Sequence, residues 1–233
     1  MRWPKIRLGR MELSNHHLDE LRIATTQGHP RRIMPPVMKG DRRVLDVGCG
    51  AGQTLIATNF EPGTTVIGLD VDESALSLGR QLNKTICFVR ARAENLPFQT
   101  EQLDFVFSRV ALPYMHLHDT LSEILRVLKT GGRVWLVLHP YPMVFKETLA
   151  ALSRLKIRRA VVCFYVMVNG MMLNSFGKEF HLPFRKDYYE SFQTVKGIRK
   201  LLRKAGFDDI RAERNGFFVA SARKAEINVN PAD

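Results

Sequence analysis

The chain has 233 residues and a mass of 26.6 kDa, enough for one substantial domain whose core needs no disulfide or metal support. A hydrophobic fraction of 45% and a charged fraction of 25% exclude a disordered chain, collagen and a coiled coil. Lys and Arg number 35 against 23 Asp and Glu, so the formal net charge is +12. That excess of positive charge favours an anionic partner, such as nucleic acid, a membrane surface or an acidic substrate.

The cysteines and the apolar runs indicate which cellular compartment to expect for the protein. Cys49, Cys87 and Cys163 lie far apart and form no CxxC pair, so neither a disulfide framework nor a metal site is predicted. The basic N-terminus is not followed by the apolar run of a signal peptide. The longest apolar run, at 160–168, is too short to span a bilayer. We expect a cytoplasmic protein and leave open a peripheral contact with a membrane.

The positive charge is concentrated at the two ends of the chain. Residues 1–43 carry a net charge of +6 and residues 141–233 carry +8, whereas residues 44–140 carry −2. The middle of the chain is therefore a slightly acidic module between two basic flanks.

Strands alternate with helices along the acidic module. Apolar and β-branched runs predict strands at 44–47, 65–70, 86–89, 103–108 and 133–138. Apolar spacing predicts helices at 53–59, 73–83 and 119–128, the last of them ended by Gly131 and Gly132. This alternation indicates a doubly wound parallel sheet with helices on both faces, whose ligands bind at the carboxyl ends of the strands.

The alternation stops after residue 138 for about fifty residues and then resumes. A helix is predicted at 194–205, ended by Gly206, and a hairpin follows with strands at 207–213 and 216–222. The predicted fold class is therefore α/β, with a seven-stranded, mostly parallel sheet, an antiparallel last strand and a helical or irregular insertion.

A glycine loop follows the first strand. Gly48-x-Gly50-x-Gly52 is a tight turn of the kind that brings a nucleotide-like ligand against the backbone. The spacing is not the GxGxxG of NAD-binding loops, and no GK[ST] sequence is present for ATP. Asp46 enters the loop, and such an acid suits a positively charged ligand. S-adenosylmethionine has a sulfonium and an ammonium, and Asp70, at the end of the second strand, can accept its ribose hydroxyls.

An ordered set of motifs extends this interpretation. VLDVGCGAG at 44–52 resembles the first motif of class I S-adenosylmethionine-dependent methyltransferases. Further similar stretches occur in the family's order, at 66–70 (VIGLD), 93–98 (AENLPF), 104–108 (DFVFS), 125–132 (LRVLKTGG) and 201–207 (LLRKAGF). The resemblance covers roughly residues 40–140 and 194–222, and it is greatest to the branch that acts on small molecules. It implies a Rossmann-like methyltransferase fold and S-adenosyl-L-methionine as cofactor.

The resemblance also implies which residues bind the cofactor. The methionine end would lie against the glycine loop, formed by Gly48, Cys49, Gly50 and Gly52, with Asp46 at the ammonium. The remaining assignments are Asp70 at the ribose, Val71 beside the adenine, Ala93 and Glu94 at the adenine edge, and Ser108 near the sulfonium. Arg109 would contact the cofactor or an acidic acceptor, with a surface ion pair as the alternative.

One position departs from the family pattern. The family often has an Asp before the Ala of the adenine stretch, where it accepts from the adenine amine, but here Arg92 stands there and has no acceptor. Either Glu94 substitutes for it, or backbone and apolar contacts hold the adenine.

Four segments follow from this interpretation. They are an N-terminal helical cap segment at 1–43, a cofactor-binding core at 44–139, a substrate-cap insertion at 140–193, and a C-terminal helix and hairpin at 194–233 that complete the sheet. We expect the first segment to close over the cofactor, as N-termini in the family often do.

The residues do not compel a general base for the methyl acceptor. His139 is the candidate, because it follows the fifth strand directly and so projects where acceptors bind. A turn histidine that bonds to the backbone suits the same position. His116 and His118 follow the fourth strand, and for them we favour a loop or helix-cap role.

The insertion carries the expected acceptor contacts. It is rich in Met, Phe and Tyr, which suit either an apolar acceptor pocket or a separate small core. Basic residues at 154–159 adjoin its apolar run, an arrangement that can rest on an anionic membrane or be a solvated helix end. The predicted helix at 194–205 has a basic face formed by Lys196, Arg199, Lys200, Arg203 and Lys204.

Three functions remain open from the sequence. The favoured one is an enzyme that methylates a small-molecule or lipid-like acceptor by in-line transfer. The second is an RNA methyltransferase that uses the basic flanks, although no dedicated RNA-binding domain or (D/N)PPY motif is visible. The third is a non-catalytic S-adenosylmethionine-binding or partner subunit, for which Arg92 is the hint. The oligomeric state is left open.

Overall fold

A computed structural model describes residues 10–138, 157–182 and 189–226 of the chain. The helices are α1 Arg10–Thr25, α2 Gln53–Ala57, α3 Glu73–Leu82, α4 Leu117–Val127, α5 Ile157–Phe176 and α6 Val195–Ala205. The strands are β1 Arg43–Val47, β2 Thr65–Asp70, β3 Cys87–Arg90, β4 Leu103–Arg109, β5 Leu128–Leu138, β6 Phe207–Asn215 and β7 Phe217–Lys224. A short 3-10 turn, Leu112–Tyr114, precedes α4.

These strands form one seven-stranded sheet in the order β3-β2-β1-β4-β5-β7-β6. Strands β1 to β5 pair in parallel, and β7 runs antiparallel to both of its neighbours, β5 and β6. The predicted fold class, including the antiparallel last strand, is therefore confirmed. Because β1, β2 and β4 are parallel neighbours, their carboxyl ends meet at one edge of the sheet, and this edge carries the glycine loop.

Alternate residues of the central strands pack on opposite faces of the sheet. Val44 and Phe105 are fully buried in one apolar cluster, and Leu45 and Val106 are fully buried in the other. Strands buried on both faces need continuous apolar runs rather than alternation. For this reason, continuous apolar runs in the sequence indicate these strands.

The region of the two glycines differs from the sequence-based expectation. Helix α4 begins at Leu117 and ends at Val127, and β5 already begins at Leu128, so Gly131 and Gly132 do not end the helix. They lie in a bulge of β5, where the pairing with β4 jumps from Leu103–Leu128 to Phe105–Arg133. Gly131 has a φ of 73°, and a Cβ on Gly132 would lie 2.7 Å from the Lys129 carbonyl oxygen. The glycines are needed for the bulge rather than for a helix cap.

The C-terminal elements follow their local signals closely. Thr194 caps α6 by accepting a hydrogen bond from the Gly197 amide at 3.0 Å. Gly206 ends the helix in the left-handed conformation, with a φ of 100°. The hairpin strands are longer than predicted and turn at Gly216, which also has a positive φ.

Two regions outside the sheet are helical. Helix α1 lies within the N-terminal segment that was expected to be helical. Helix α5 occupies much of the described part of the insertion. In the part of the chain that the structure describes, no helix is long and apolar enough to cross a membrane.

Candidate functional site

The glycine loop has the backbone geometry that its sequence predicts. Gly48, Gly50 and Gly52 have φ values of 76°, 57° and 75°, in the left-handed region that favours glycine. A Cβ on Gly48 would lie 2.2 Å from the Ala111 Cβ, so the connection after β4 packs directly on the loop. The Cys49 side chain points into the core, where burial raises the pKa of its thiol well above the usual value. Only the backbone of Cys49 can therefore face a ligand.

Asp46 is a buried carboxyl at the end of β1. It is 2% exposed, and among the described residues no donor reaches its Oδ1 atom. Burial raises the pKa of this carboxyl to about 8, although the Arg109 guanidinium acts in the opposite direction. A buried carboxylate without a partner is costly, and a cationic group bound beside it would compensate that cost.

Asp70 ties the second strand to the glycine loop. Its Oδ2 atom accepts a hydrogen bond from the Gly50 amide at 2.8 Å, and its Oδ1 atom accepts one from the Asp72 amide at 2.9 Å. Each carboxylate oxygen retains a lone pair for a further donor. Val71 follows and is 56% exposed, so its side chain remains available to cover a flat ring.

The residues expected at the adenine edge lie next to the start of α4. Ala93 is buried, and Glu94 forms an ion pair with Arg92 at 3.4 Å. The Oε1 atom of Glu94 also accepts a hydrogen bond from the His116 amide at 3.1 Å. Glu94 therefore neutralises Arg92 and positions the first turn of α4, while its second oxygen can still accept.

Ser108 and Arg109 end β4 in different roles. The Ser108 hydroxyl is fully buried and donates to the Val47 carbonyl at 2.8 Å, so it joins β4 to β1. Arg109 donates to the Thr54 hydroxyl at 3.0 Å and forms a largely buried ion pair with Glu20 at 2.9 Å. Val110 follows with a φ of 66°, an unusual conformation for a β-branched residue. The backbone thus turns sharply where β4 meets the glycine loop.

Helix α1 lies over the glycine loop. A Cβ on Gly50 would be 3.0 Å from the His17 ring, and the Nδ1 atom of that ring bonds to the Gln53 side chain at 2.7 Å. Burial lowers the pKa of His17, so the imidazole is neutral near pH 7. With Glu20 bound to Arg109, α1 contributes two side chains to this site. Sequence reasoning did not single out either one, because a weakly amphipathic helix gives no sign of what it will contact.

A second group of polar side chains lies where α4 begins. His116 occupies the N-cap position of α4, and its Nδ1 atom lies 2.7 Å from the Asp119 Oδ2 atom. The rings of His116 and Tyr189 are 5.1 Å apart, and Tyr189 belongs to the insertion. His116 thus has the cap position that we favoured from sequence. Its partners, which sequence did not indicate, join the core to the insertion.

Glu179 links the insertion to the core through a hydrogen bond to the start of α4. Its Oε2 atom accepts from the Leu117 amide at 2.7 Å, and its Oε1 atom accepts from the Ser191 hydroxyl at 3.2 Å. Burial raises the pKa of this carboxyl to about 7, against the hydrogen bonds that it accepts. Its partners Leu117 and Ser191 are 62 and 12 residues away in the sequence, so no local pattern identifies Glu179.

The cofactor-site assignments can now be located in space. Asp46, Asp70, Glu94 and Arg109 lie at one edge of the sheet around the glycine loop, as the parallel strands require. His139 lies outside the described residues, so its expected role as a base stays a prediction. The individual contacts with a cofactor stay predictions as well.

The donor set fits S-adenosylmethionine. Asp46 offers a buried, unpartnered acceptor for the ammonium, and Asp70 has acceptor capacity left for ribose hydroxyls. Within the described residues no group of three or more His, Cys, Asp or Glu is arranged to hold a metal ion.

Comparison with known proteins supports the same identification. Residues 45–136 match a family model described as a methyltransferase domain. The demethylmenaquinone methyltransferase of Staphylococcus saprophyticus is 28% identical over 199 residues, which cover 78% of this chain and 77% of that protein. The phthiotriol/phenolphthiotriol dimycocerosates methyltransferase of Mycobacterium tuberculosis is 35% identical over 106 residues, which cover 43% of this chain and 39% of that protein.

A solved structure shares the fold. Human N-acetylserotonin methyltransferase, in complex with S-adenosylmethionine, superposes with a TM-score of 0.61 at 15% identity, covering 93% of this chain and 57% of that one. The motif order, the sheet topology and the family match agree. The protein is an enzyme that uses S-adenosyl-L-methionine, its residues 45–136 match a methyltransferase domain, and the chain is similar to the class I S-adenosylmethionine-dependent methyltransferases.

Proposed function

We propose that this enzyme methylates a small-molecule acceptor of quinone or lipid type, bound between the start of α4 and the insertion. The observation that carries this proposal is the junction of His116, Tyr189 and Glu179, which lies beside the connection that packs on Gly48. The relatives named for demethylmenaquinone and for a mycocerosate lipid favour an acceptor with a large apolar part.

The cofactor supplies an electrophilic methyl group on a sulfonium, and the protein supplies binding and orientation. Asp46 and Asp70 would hold the two polar ends of the cofactor, and Val71 would cover the adenine. Correct alignment of the reacting groups alone accounts for about 7–11 kcal/mol of the barrier in favourable cases. The rigid anchoring of both acids on strand ends suits this task.

His116 is the described side chain best placed to take a proton from the acceptor. Asp119 accepts from the Nδ1 atom, which leaves the Nε2 atom with a lone pair for a hydroxyl or an acidic carbon of the acceptor. The His116 side chain is 28% exposed, so a ligand can reach it. His139 remains the alternative base, at the end of β5.

Purified protein incubated with S-adenosylmethionine and separate acceptor pools tests the proposal. The pools are a quinone precursor, a phenolic lipid, a water-soluble metabolite extract and total RNA, with S-adenosylhomocysteine as the readout. We expect turnover with the quinone or the phenolic lipid. Turnover with RNA alone would replace the proposal by the second sequence-based hypothesis. Cofactor binding without turnover in any pool would favour a non-catalytic subunit.

A further inference from the structure

Helix α5 is apolar on two opposite faces. One face is buried against the protein through Cys163, Val166 and Leu173. The opposite face carries apolar side chains at steps of three, four and three residues, which aligns them along the helix. We call this row the α5 stripe, and it consists of Val161 (59% exposed), Phe164 (64%), Val168 (36%) and Met171 (52%).

Two further exposed apolar side chains lie at and just beyond the end of α5, outside the α5 stripe. Phe176 and Phe180 are 68% and 50% exposed, and the Tyr165 hydroxyl donates to the Phe180 carbonyl at 2.6 Å, which holds that segment against α5. Single exposed apolar residues are ordinary, but a row of four along one helix face indicates a surface that binds a partner.

A row of cations adjoins the α5 stripe. Helix α6 buries Ile198, Leu201 and Leu202, and its opposite face is basic. We call that face the α6 basic row, and all of its members are exposed: Lys196, Arg199, Lys200, Arg203 and Lys204. Among the described residues none of the five forms an ion pair with an acid.

The helices that carry the two rows are in contact near the C-terminal end of α5. The Lys200 ammonium donates to the Ser175 carbonyl at 3.4 Å, in the last turn of α5. The Asn174 side chain accepts from the Thr194 hydroxyl at 2.7 Å and so fixes the start of α6 beside α5. The apolar stripe and the basic row therefore lie next to each other on the protein surface.

We propose that the α5 stripe and the α6 basic row together bind the surface of an anionic lipid bilayer. Apolar side chains flanked by unpaired cations suit the boundary between acyl chains and acidic headgroups. The net charge of +8 in residues 141–233 complements such a surface. A second copy of the chain would have to bring two basic rows together, which charge repulsion opposes.

Binding to a bilayer is a property separate from methyl transfer, but it bears on how the enzyme would reach a lipid-like acceptor. Helix α5 also carries Asn169, whose buried amide donates to the Glu190 carbonyl, next to Tyr189 and Ser191 at the acceptor junction. Helix α5 therefore joins the proposed bilayer-binding surface to the acceptor junction, and this link rests on the proposed function.

Vesicle co-sedimentation tests the proposal independently of activity. Full-length protein is mixed with vesicles of phosphatidylcholine alone, or of phosphatidylcholine with phosphatidylglycerol, at low and high salt. We expect binding to the anionic vesicles that weakens with salt. The double variant Lys200→Ala, Arg203→Ala should lower the partition coefficient about five-fold for each cation removed. The double variant Phe164→Ser, Met171→Ser should lower it at both salt concentrations.

Matched controls separate this surface from general effects. Leu82→Ser removes an apolar side chain that is 40% exposed on α3, and Arg211→Ala removes a cation that is 78% exposed on β6. Neither should change vesicle binding. The Phe164→Ser, Met171→Ser variant should keep its thermal unfolding midpoint and its cofactor affinity, because both wild-type side chains are more than half exposed.

Three outcomes would overturn the proposal. One is equal binding of the wild type to neutral and anionic vesicles. Another is a concentration-dependent dimer, measured by light scattering, that the Phe164→Ser, Met171→Ser change abolishes. The third is a loss of RNA binding in the Lys200→Ala, Arg203→Ala variant while binding to anionic vesicles stays intact.

Discussion

Two differently built halves of the molecule meet at the start of helix α4. On the cofactor side, Asp46 and Asp70 end neighbouring parallel strands and are placed by the sheet itself. On the proposed acceptor side, Tyr189 and Glu179 come from an insertion and reach the core through side-chain hydrogen bonds and ring contacts. Glu94 from one half and Glu179 from the other bind consecutive amides, those of His116 and Leu117. The start of α4 is therefore where the two halves meet.

This contrast matters for specificity. A site built on strand ends is rigid and changes little when surface residues change, whereas an insertion can vary its lining without disturbing the sheet. We therefore expect substitutions in the first half to alter cofactor affinity, and substitutions in the second half to alter the rate at unchanged cofactor affinity.

The largest expected effect belongs to the acceptor half. His116→Gln should lower the rate of methyl transfer to a hydroxyl acceptor by about 10²–10⁴-fold, the usual contribution of a positioned base. Calorimetry should show unchanged S-adenosylmethionine affinity. His118→Gln is the matched control, because His118 is 51% exposed and lies on the outer side of the same turn. An unaltered rate in the His116 variant would return the role to His139.

Asp70→Ala should have the next largest effect, in the cofactor half. It removes the acceptor of the Gly50 amide and the expected acceptor of the ribose, and each charge-assisted hydrogen bond contributes about 1.5–3 kcal/mol. We expect S-adenosylmethionine affinity to fall by about 100-fold or more, measured by calorimetry. Asp72→Ala, which removes only the cap of α3, should leave the affinity nearly unchanged. Equal affinities of the wild type and the Asp70 variant would refute the ribose assignment.

Gly48→Ala probes the contact between the glycine loop and the β4 connection. The new Cβ would be 2.2 Å from the Ala111 Cβ at a positive φ, so overpacking adds about 1–3 kcal/mol to a strain of about 1–2 kcal/mol. Gly63→Ala isolates the strain, because Gly63 has a φ of 83° and nothing lies within 4 Å of its Cβ position. Urea unfolding should show a clearly greater fall in the free energy of unfolding for Gly48→Ala than for Gly63→Ala. Equal losses would mean that the loop moves away from Ala111.

Asp46→Asn should change how stability depends on pH. The folded-state pKa of Asp46 is raised to about 8, so between about pH 4 and 8 the folded chain retains a proton that the unfolded chain releases. In that window the free energy of unfolding of the wild type falls by up to about 1.4 kcal/mol per pH unit from this group.

The Asp46→Asn variant should lose this contribution to the slope of the free energy of unfolding against pH. Its cofactor affinity should fall, because the ammonium loses its counter-charge. Urea unfolding without cofactor, at about pH 5.5 and about pH 7.5, measures the difference. Parallel slopes for the wild type and the variant would show that Asp46 titrates normally.

Some failures of sequence reasoning share one cause. Gly131 and Gly132 looked like a helix end, but they form the bulge that brings β5 into register with β4. His17 and Glu20 carried no visible signal, and neither did Glu179. In each case the partner lies on another element, so only long-range packing assigns the role.

The sequence by itself determined the sheet, the glycine loop and the chemical class of the cofactor. Their signals are local: apolar runs for doubly buried strands, glycines where φ must be positive, and an acid at each of two strand ends. Only the tertiary structure decided that α1 covers the loop, that Glu94 and Glu179 share the start of α4, and that the α5 stripe adjoins the α6 basic row. These are contacts between distant segments, and their geometry depends on how the elements pack rather than on any short pattern of residues.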